Sequence, residues 1–396
     1  MRRTPLACAC LLLASVGVHA QSFEVRGFLE ARAASGADET AWRDGGLGKT
    51  RFGDGDASFG GNAAIDASWQ ATPTLLFSAS AQAVPDQRQN VDLLDAWVRW
   101  RPVSTTPWRA SFTAGMFFAP ISLENDGVGW TSAWTLTPSA IDSWAGEELR
   151  TFGGEARIEH RGENATWDLR AAVFTRNDPA GELLASRGWA MGDLTSGLET
   201  SLREPDAYAA MLGAPIPMVF KPFEEIDDAL GAYVAIGRES STGRARLLYY
   251  DNRTDATRDI QYAGRDLYGW HTRFWTGGLT HRFDAWEFAA QAMSGTTTIA
   301  PGGYAFDTDF NAGYALLARS FDAWQPVLRV DLFQTGDSLR EHGHALTAAL
   351  NWRPHDHVRV IGEFLRIDSS SEQRVAAGRE AKQIDTQVQL AVRWYF

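Results

Sequence analysis

The stretch QVQLAVRWYF, residues 387–396, alternates strictly. Val388, Leu390, Val392, Trp394 and Phe396 share one face, and Gln387, Gln389, Arg393 and Tyr395 share the other. Ile384 and Thr386 extend the first face upstream, and Asp385 extends the second. A period of two marks a β-strand whose faces meet different surroundings, because successive side chains point to opposite sides of the pleat. The same alternation runs through FTAGMFF (112–118), WVRW (97–100), ATWDLRAAVFT (165–175) and PVLRVDLFQ (326–334). Sustained helical periodicity is missing, and no window of 18 apolar residues exists to form a spanning helix.

The chemistry of the two faces decides the class. A soluble sandwich turns Lys and Glu outward and oil inward. Here the polar face carries Arg, Asp, Gln and Asn, and the apolar face is capped by Trp or Tyr. That is the pattern of a transmembrane barrel, apolar toward lipid and polar toward the lumen, with aromatic girdles at both interfaces. Only a closed barrel or a helix satisfies its backbone hydrogen bonds inside lipid.

Alternating segments fall near 22–34, 58–70, 74–84, 91–101, 108–118, 150–161, 165–176, 229–238, 242–251, 268–282, 285–294, 308–319, 324–335, 343–353, 356–367 and 383–396. The expected fold is therefore all-β: an antiparallel up-and-down transmembrane β-barrel of about 16 strands. Connections after even strands are short (QATP, PVSTTP, RGEN, ESSTG, FD, FDAW, RPHD). Those after odd strands are mostly long: 35–57, 119–149, 177–228, 252–267, 295–307 and 368–382, with 85–90 and 336–342 brief. Short periplasmic turns alternating with long outer loops are the asymmetry of an outer-membrane barrel. The expected location is the outer membrane of a Gram-negative bacterium.

Residues 1–20 carry a basic start (Arg2, Arg3), an apolar run from Leu6 to Val18 and the small-residue site Val18-His19-Ala20. This reads as a cleaved signal peptide, leaving 21–396 as a single barrel domain. Cleavage removes Cys8 and Cys10, so a disulfide scaffold or thiolate metal site is excluded. It also removes two arginines and no acid, leaving 35 basic against 49 acidic side chains, a net charge of −14. So acidic a chain is a poor nucleic-acid binder. Lysine occurs only at 49, 221 and 382, so the positive charge is nearly all guanidinium.

The loop APISLENDGVGWTSAWTLTPSAIDSWAGEELR, residues 119–150, is long for a connection without structure of its own, which favours a functional loop. Sixteen strands, a long third outer loop and a terminal aromatic resemble the Gram-negative general porins. GMFFAPISLEN (Gly115, Phe117, Pro120, Glu124) also resembles a segment of the phosphate-selective porin family. The lysines of that family's path are missing here. The resemblance implies a passive diffusion channel for small hydrophilic solutes or ions, narrowed by the loop after strand five folding inward. It also implies a homotrimer, although Trp-rich outward faces equally suit a lipid girdle.

Read from the residues, loop acids Glu124, Asp126, Asp142, Glu147 and Glu148 would face wall arginines Arg26, Arg32, Arg99, Arg101, Arg109, Arg157 and Arg170. Arg99 and Arg101, two apart, share a face. Such rings of charge set size and charge selectivity; alternatively, the charges pair and staple the loop to the wall. Inward acids (Glu30, Asp66, Asp95, Glu155, Asp168, Asp331, Glu363) nearly balance the arginines, as in a solvated wall. A channel selective for anionic or hydrophobic small molecules is the alternative, since 177–228 has apolar residues to line a greasy route or form a short helix; an outer-membrane barrel enzyme is the rival class behind it.

Other features carry less. DGGLGKT (44–50) lacks the first glycine and the strand–helix setting of a phosphate-binding loop, so a flexible outer loop is expected. GDGD (53–56) reads as a turn. His342 and His344 are expected about 25 Å from His355 and His357 across the apolar band, too far for one metal. Scattered Ser294, His271 and His281 form no nucleophile–base set, so no enzyme is expected, and neither cofactor nor metal. Expected partners are outer-membrane lipid and lipopolysaccharide, the small hydrophilic solutes and the barrel-assembly machinery. By resemblance to outer-membrane proteins, Phe396 is the recognition mark for that machinery.

Overall fold

A computed structural model describes residues 22–336 and 339–396, so the signal-peptide segment lies outside the described residues. Sixteen antiparallel staves form one closed sheet. The first eight are β1 (Ser22–Ser35), β2 (Ala63–Thr72, continued upward by Ala57–Gly60), β3 (Leu75–Ala83), β4 (Val91–Trp100), β5 (Trp108–Phe117), β6 (Thr151–Arg161), β7 (Thr166–Thr175) and β8 (Gly231–Ser240). The rest are β9 (Gly243–Asp251), β10 (His271–Phe283), β11 (Trp286–Ile299), β12 (Phe306–Arg319), β13 (Trp324–Thr335), β14 (Glu341–His355), β15 (Val358–Ser371) and β16 (Lys382–Tyr395). Each pairs with the next, and β16 closes on β1 in a register from Phe28↔Tyr395 to Ser35↔Val388. Closure leaves no open edge in lipid.

The alternation sorts the faces as the sequence requires. On β16, Gln387, Gln389 and Arg393 are buried, whereas Val388, Leu390, Val392 and Trp394 lie 43–53% exposed. Outward aromatics gather at the short-turn ends in cross-strand pairs: Trp69–Phe77, Trp100–Phe112 and Trp324–Trp352, with ring centroids 5.4, 5.7 and 5.5 Å apart. Arg238 and Arg319 cover Trp167 and Trp286 in the same belt. Amphipathic rings beside cations suit the level of lipid headgroups.

The staves from β10 to β16 run 12–15 residues, longer than the 9–11 of β2 to β9. Their outer ends read as loop because they are polar. Cross-strand bonds Thr296–Asp309 (2.5 Å) and Thr298–Asp307 (2.6 Å) carry the β11–β12 ladder upward instead. Among the described residues the loops carry four short α-helices: α1 (Ala140–Glu148), α2 (Glu182–Arg187), α3 (Asp206–Leu212) and α4 (Glu372–Ala376).

Residues 44–50 are not a loose outer loop. Lys49 is 4% exposed, its Nζ 2.6 Å from Glu341 and its backbone N–H 2.5 Å from Asp385. A buried cation needs such partners, and they fasten the segment into the barrel mouth. His342 and His344 lie at the outer end of β14 and His355 at its other end, so no shared metal site forms from them.

Phe396 completes the seam. Its backbone exchanges two hydrogen bonds of 3.0 Å with Gly27, and its ring occupies the space where a Cβ at 27 would lie, 2.3 Å from the ring edge. Gly27→Leu should therefore displace the ring and cost about 1–3 kcal/mol by overpacking. The readout is the temperature at which the folded barrel unfolds, followed by circular dichroism. An unchanged temperature rejects the seam role. Deletion of Phe396 tests the assembly role separately, by loss of membrane insertion that Gly27→Leu retains.

Candidate functional site

The loop between β5 and β6 bonds to inward side chains around most of the barrel. Early in the loop, the carbonyls of Ile121 and Leu123 accept from Gln291 of β11 (2.8 Å) and Arg244 of β9 (2.6 Å). At its tip the Gly129 N–H reaches Asp66 of β2 (3.2 Å). Returning, the carbonyls of Ala133 and Trp134 accept from Arg359 of β15 (3.0 Å) and Asn351 of β14 (2.8 Å). Glu363 of β15 accepts from the N–H groups of Leu136 (2.6 Å) and Thr137 (3.1 Å). Contacts with opposite walls place this segment across the interior, where its backbone polar groups must find protein partners.

Arg329 of β13 anchors the loop. Fully buried, it donates to Asp331 (2.8 Å), to the carbonyls of Thr137 and Pro138 (both 2.9 Å) and to Glu124 (3.4 Å). Ser139 caps α1 through Asp142, and its own N–H meets Glu124 at 2.6 Å. Burial and the neighbouring Glu124 carboxylate hold the Asp142 carboxyl well above its ordinary pKa.

Trp144 of α1 enters an aromatic cluster on the other side. Its ring lies 5.6 Å from Phe274, 5.3 Å from Phe310 and 6.1 Å from Trp189. Tyr250 stacks on Phe274 (4.8 Å) and Phe174 (5.1 Å). These inward aromatics of β7, β9, β10 and β12 give the lumen a dry, packed sector. Loop 177–228 then covers α1. Gly192 N–H bonds Ser143 (3.1 Å), Ser196 N–H bonds the Gly146 carbonyl (2.9 Å), and Arg187 pairs with Glu147. Asp193 joins Arg32 (2.6 Å) to Arg51 (2.7 Å) beside it, and both cations hold its carboxyl far below the usual range. The helices expected as one option for 177–228 are α2 and α3.

The inward polar ladder of β13 to β16 is consequently not a solvated wall. Arg329, Asp331, Glu363, Gln387, Gln389 and Arg393 are each 3% exposed or less: loop 119–149 bonds Arg329, Asp331, Glu363 and Gln389, Phe52 of segment 35–57 bonds Gln387 (3.0 Å), and Arg393 pairs with Glu30 (2.6 Å). Charged wall that keeps solvent contact lies on β1 to β9, toward the short turns. Arg157 and Arg170 stand directly opposite each other across β6–β7 and share Asp168, at 3.2 and 2.7 Å. Arg99 of β4 bonds Thr113 (3.3 Å) and lies over Trp97, and Arg246 of β9 bonds the Pro120 carbonyl (3.3 Å). With Arg244 they form an arc of five guanidinium groups.

The sequence-predicted residues distribute unevenly around this arc. Arg99 and Arg170 belong to it. Arg26 stands on β1 opposite Asp66 and pairs with Glu24 (3.3 Å). Arg101 and Arg109 lie at the short-turn rim, Arg109 opposite Glu159 on β6. Asp126 pairs with Arg244. Glu124 and Asp142 do not face the arginines of β4 to β7; both are fully buried, Glu124 3.4 Å from Arg329 of β13 and Asp142 beside Glu124. Arg329 dictates this, since its charge in the dry sector requires a carboxylate. Arg157, an expected inward arginine, also belongs to the arc, and Arg244, Arg246 and Arg329, which the sequence reading does not single out, complete the set; their inward register on the alternating strands is the available signal.

No family model matches the sequence, and no curated protein is similar to it in sequence. Solved structures resemble it in fold. A loop-deletion mutant of OmpT, an outer membrane protein of Vibrio cholerae, superposes with TM-score 0.56 at 9% identity, covering 95% of this chain and 99% of that one. Salmonella typhi OmpF in complex with daunomycin gives 0.55 at 10% identity, over 94% and 97% of the two chains. A trimer form of the Vibrio OmpT gives 0.54 at 8% identity, over 95% and 99%. A closed sixteen-stave barrel with an apolar outer belt, aromatic girdle and this likeness is an outer-membrane β-barrel with the porin fold.

Proposed function

We propose that the barrel is an outer-membrane channel for small hydrophilic solutes or ions, narrowed by loop 119–149 with loop 177–228 packed on it. The observation that carries this reading is the solvent-contacting charged wall. An arginine arc on β4 to β9 faces a sector where Asp66, Asp95 and Asp126 gather. Opposed charge at close quarters sorts permeants by charge and orients dipolar ones. The dry aromatic sector favours a narrow, substrate-selective path over a wide diffusion pore. A passive channel of this kind uses no catalytic residue. A homotrimer, contact with lipopolysaccharide and delivery by the barrel-assembly machinery belong to the same reading. A monomeric mass in detergent would remove the trimer from it.

Liposome swelling with graded sugars, amino acids and anions is the direct test; a protein impermeable to all of them overturns the channel. The arc makes a sharper prediction. Replacing Arg99 and Arg246 together by Ser should raise the cation-to-anion permeability ratio by at least roughly twofold in a planar bilayer, because two cations leave the low-dielectric wall. An unchanged reversal potential removes the arc from the conduction path.

A further inference from the structure

Two adjacent rows of inward side chains cross β1 to β4 beneath the loop. In register, Arg26, Asp66, Ser80 and Asp95 form one row. Glu24, Ser68, Ser78 and Trp97 form the next. The serines are short, so the wall recedes between the acids and the indole. Loop residues from Asn125 to Trp130 roof this recess, leaving a cavity of about 170 Å³.

Its polar groups are unevenly satisfied. Asp126 is engaged by Arg244 and Glu24 by Arg26. Asp66 accepts from Ser80 (2.6 Å) and the Gly129 N–H (3.2 Å), but neither Asp66 nor Asp95 has an ion-pair partner among the described residues. Asp95 Oδ1 is buried without a hydrogen bond. Asn125 is 7% exposed, and its Oδ1 also has no partner. The nearby Arg150 is committed elsewhere, donating to the carbonyls of Leu149 (3.1 Å) and Ser196 (2.5 Å) and lying over Phe118.

What is unmet here is acceptor capacity at Asp95 and Asn125, in an acidic recess whose nearest cations are Arg26, opposite Asp66, and Arg150, and beside the indoles of Trp97 and Trp130. A buried acceptor without a donor is costly, and a pocket of carboxylates and aromatic faces is complementary to a cation bearing several N–H groups. We infer that this recess binds a small organic cation, a primary ammonium or guanidinium on a compact apolar body. The cationic head lies between Asp66 and Asp95 within reach of Asn125, and the body lies against the two indoles. This rests on the channel reading only in that the ligand arrives through the lumen.

The test is calorimetric titration of the purified full-length barrel in detergent with benzylammonium, and with benzyl alcohol and benzenesulfonate as neutral and anionic counterparts. Benzylammonium should bind saturably at one site, and the counterparts should not. Asp66→Asn and Asp95→Asn should each weaken binding about tenfold, the loss of one charge-assisted hydrogen bond, and the double variant should abolish it. Trp97→Leu should weaken binding while leaving the preference for charge. Folding of every variant is checked by gel migration of the unheated barrel. Equal binding of benzyl alcohol, unchanged binding by the double variant, or no binding by the native protein overturns the site. Because the titration does not depend on transport, vesicle permeability without binding rejects the recess and spares the channel. Binding without permeability does the reverse.

Discussion

Arg329→Met is expected to loosen the loop from the wall and destabilise the barrel by about 3–5 kcal/mol, the usual consequence of removing one partner of a buried ionic set. Methionine approximates the side-chain length but cannot donate. Asp331 and Glu124 would stay buried without their cation, and the carbonyls of Thr137 and Pro138 would lose donors at 2.9 Å. Thermal unfolding followed by circular dichroism should shift to lower temperature. Single-channel conductance should rise, because the segment that crosses the interior loses its fastening to β13. The companion triple variant, Arg329→Met with Asp331→Leu and Glu124→Gln, removes the stranded charges as well. It should recover part of the stability, since the stranded charges are gone while the carbonyls of Thr137 and Pro138 and the Ala140 N–H stay without partners. A single variant as stable and as poorly conducting as the native protein would show that Arg329 does not fasten the loop.

That anchor illustrates which parts of the molecule were legible in the sequence. Lipid imposes a strict rule on the outward face, so every stave left a period-two trace, and all sixteen were placed within a few residues. The inward face obeys no comparable rule. Asp331, Glu363 and Gln389 look the same in sequence whether they meet water or a folded loop, and they were read as wetted. One signal for the dry sector was present on β12. Phe310, Ala312, Tyr314, Leu316 and Ala318 point inward, while Gly313, Ala315 and Leu317 point out. A strand apolar on both faces is one covered on both faces. The acids of loop 119–149 were visible as candidates, but their partners depend on which wall the loop meets, and no local pattern encodes that.

Rising pH should loosen the same plug through Glu148. This carboxyl is fully buried at the end of α1, where it accepts from Trp144 Nε1 and from the N–H groups of Leu183 (3.0 Å) and Gly181 (3.3 Å) of loop 177–228. Those donors and the nearby Arg187 favour its ionised form, but burial outweighs them and pushes its pKa up to about 8. The adjacent Glu147, bonded to Arg187, and Asp142 at the start of α1 are also raised by burial. In the unfolded chain a glutamate titrates near 4.3, so the closed loops bind more protons than open ones. The contribution is complete below that value and is lost as pH rises through about 8, at up to about 1.4 kcal/mol per pH unit for each such group. Conductance should therefore increase, and unfolding temperature fall, from about pH 4.5 to about pH 8.5, with both profiles flattening above that. Glu148→Gln keeps an uncharged acceptor at this position and should flatten both profiles by the share of one titrating group. A variant whose profiles track the native ones across that range would mean that Glu148 is already ionised in the closed barrel, and that the interlock between α1 and loop 177–228 does not depend on its proton.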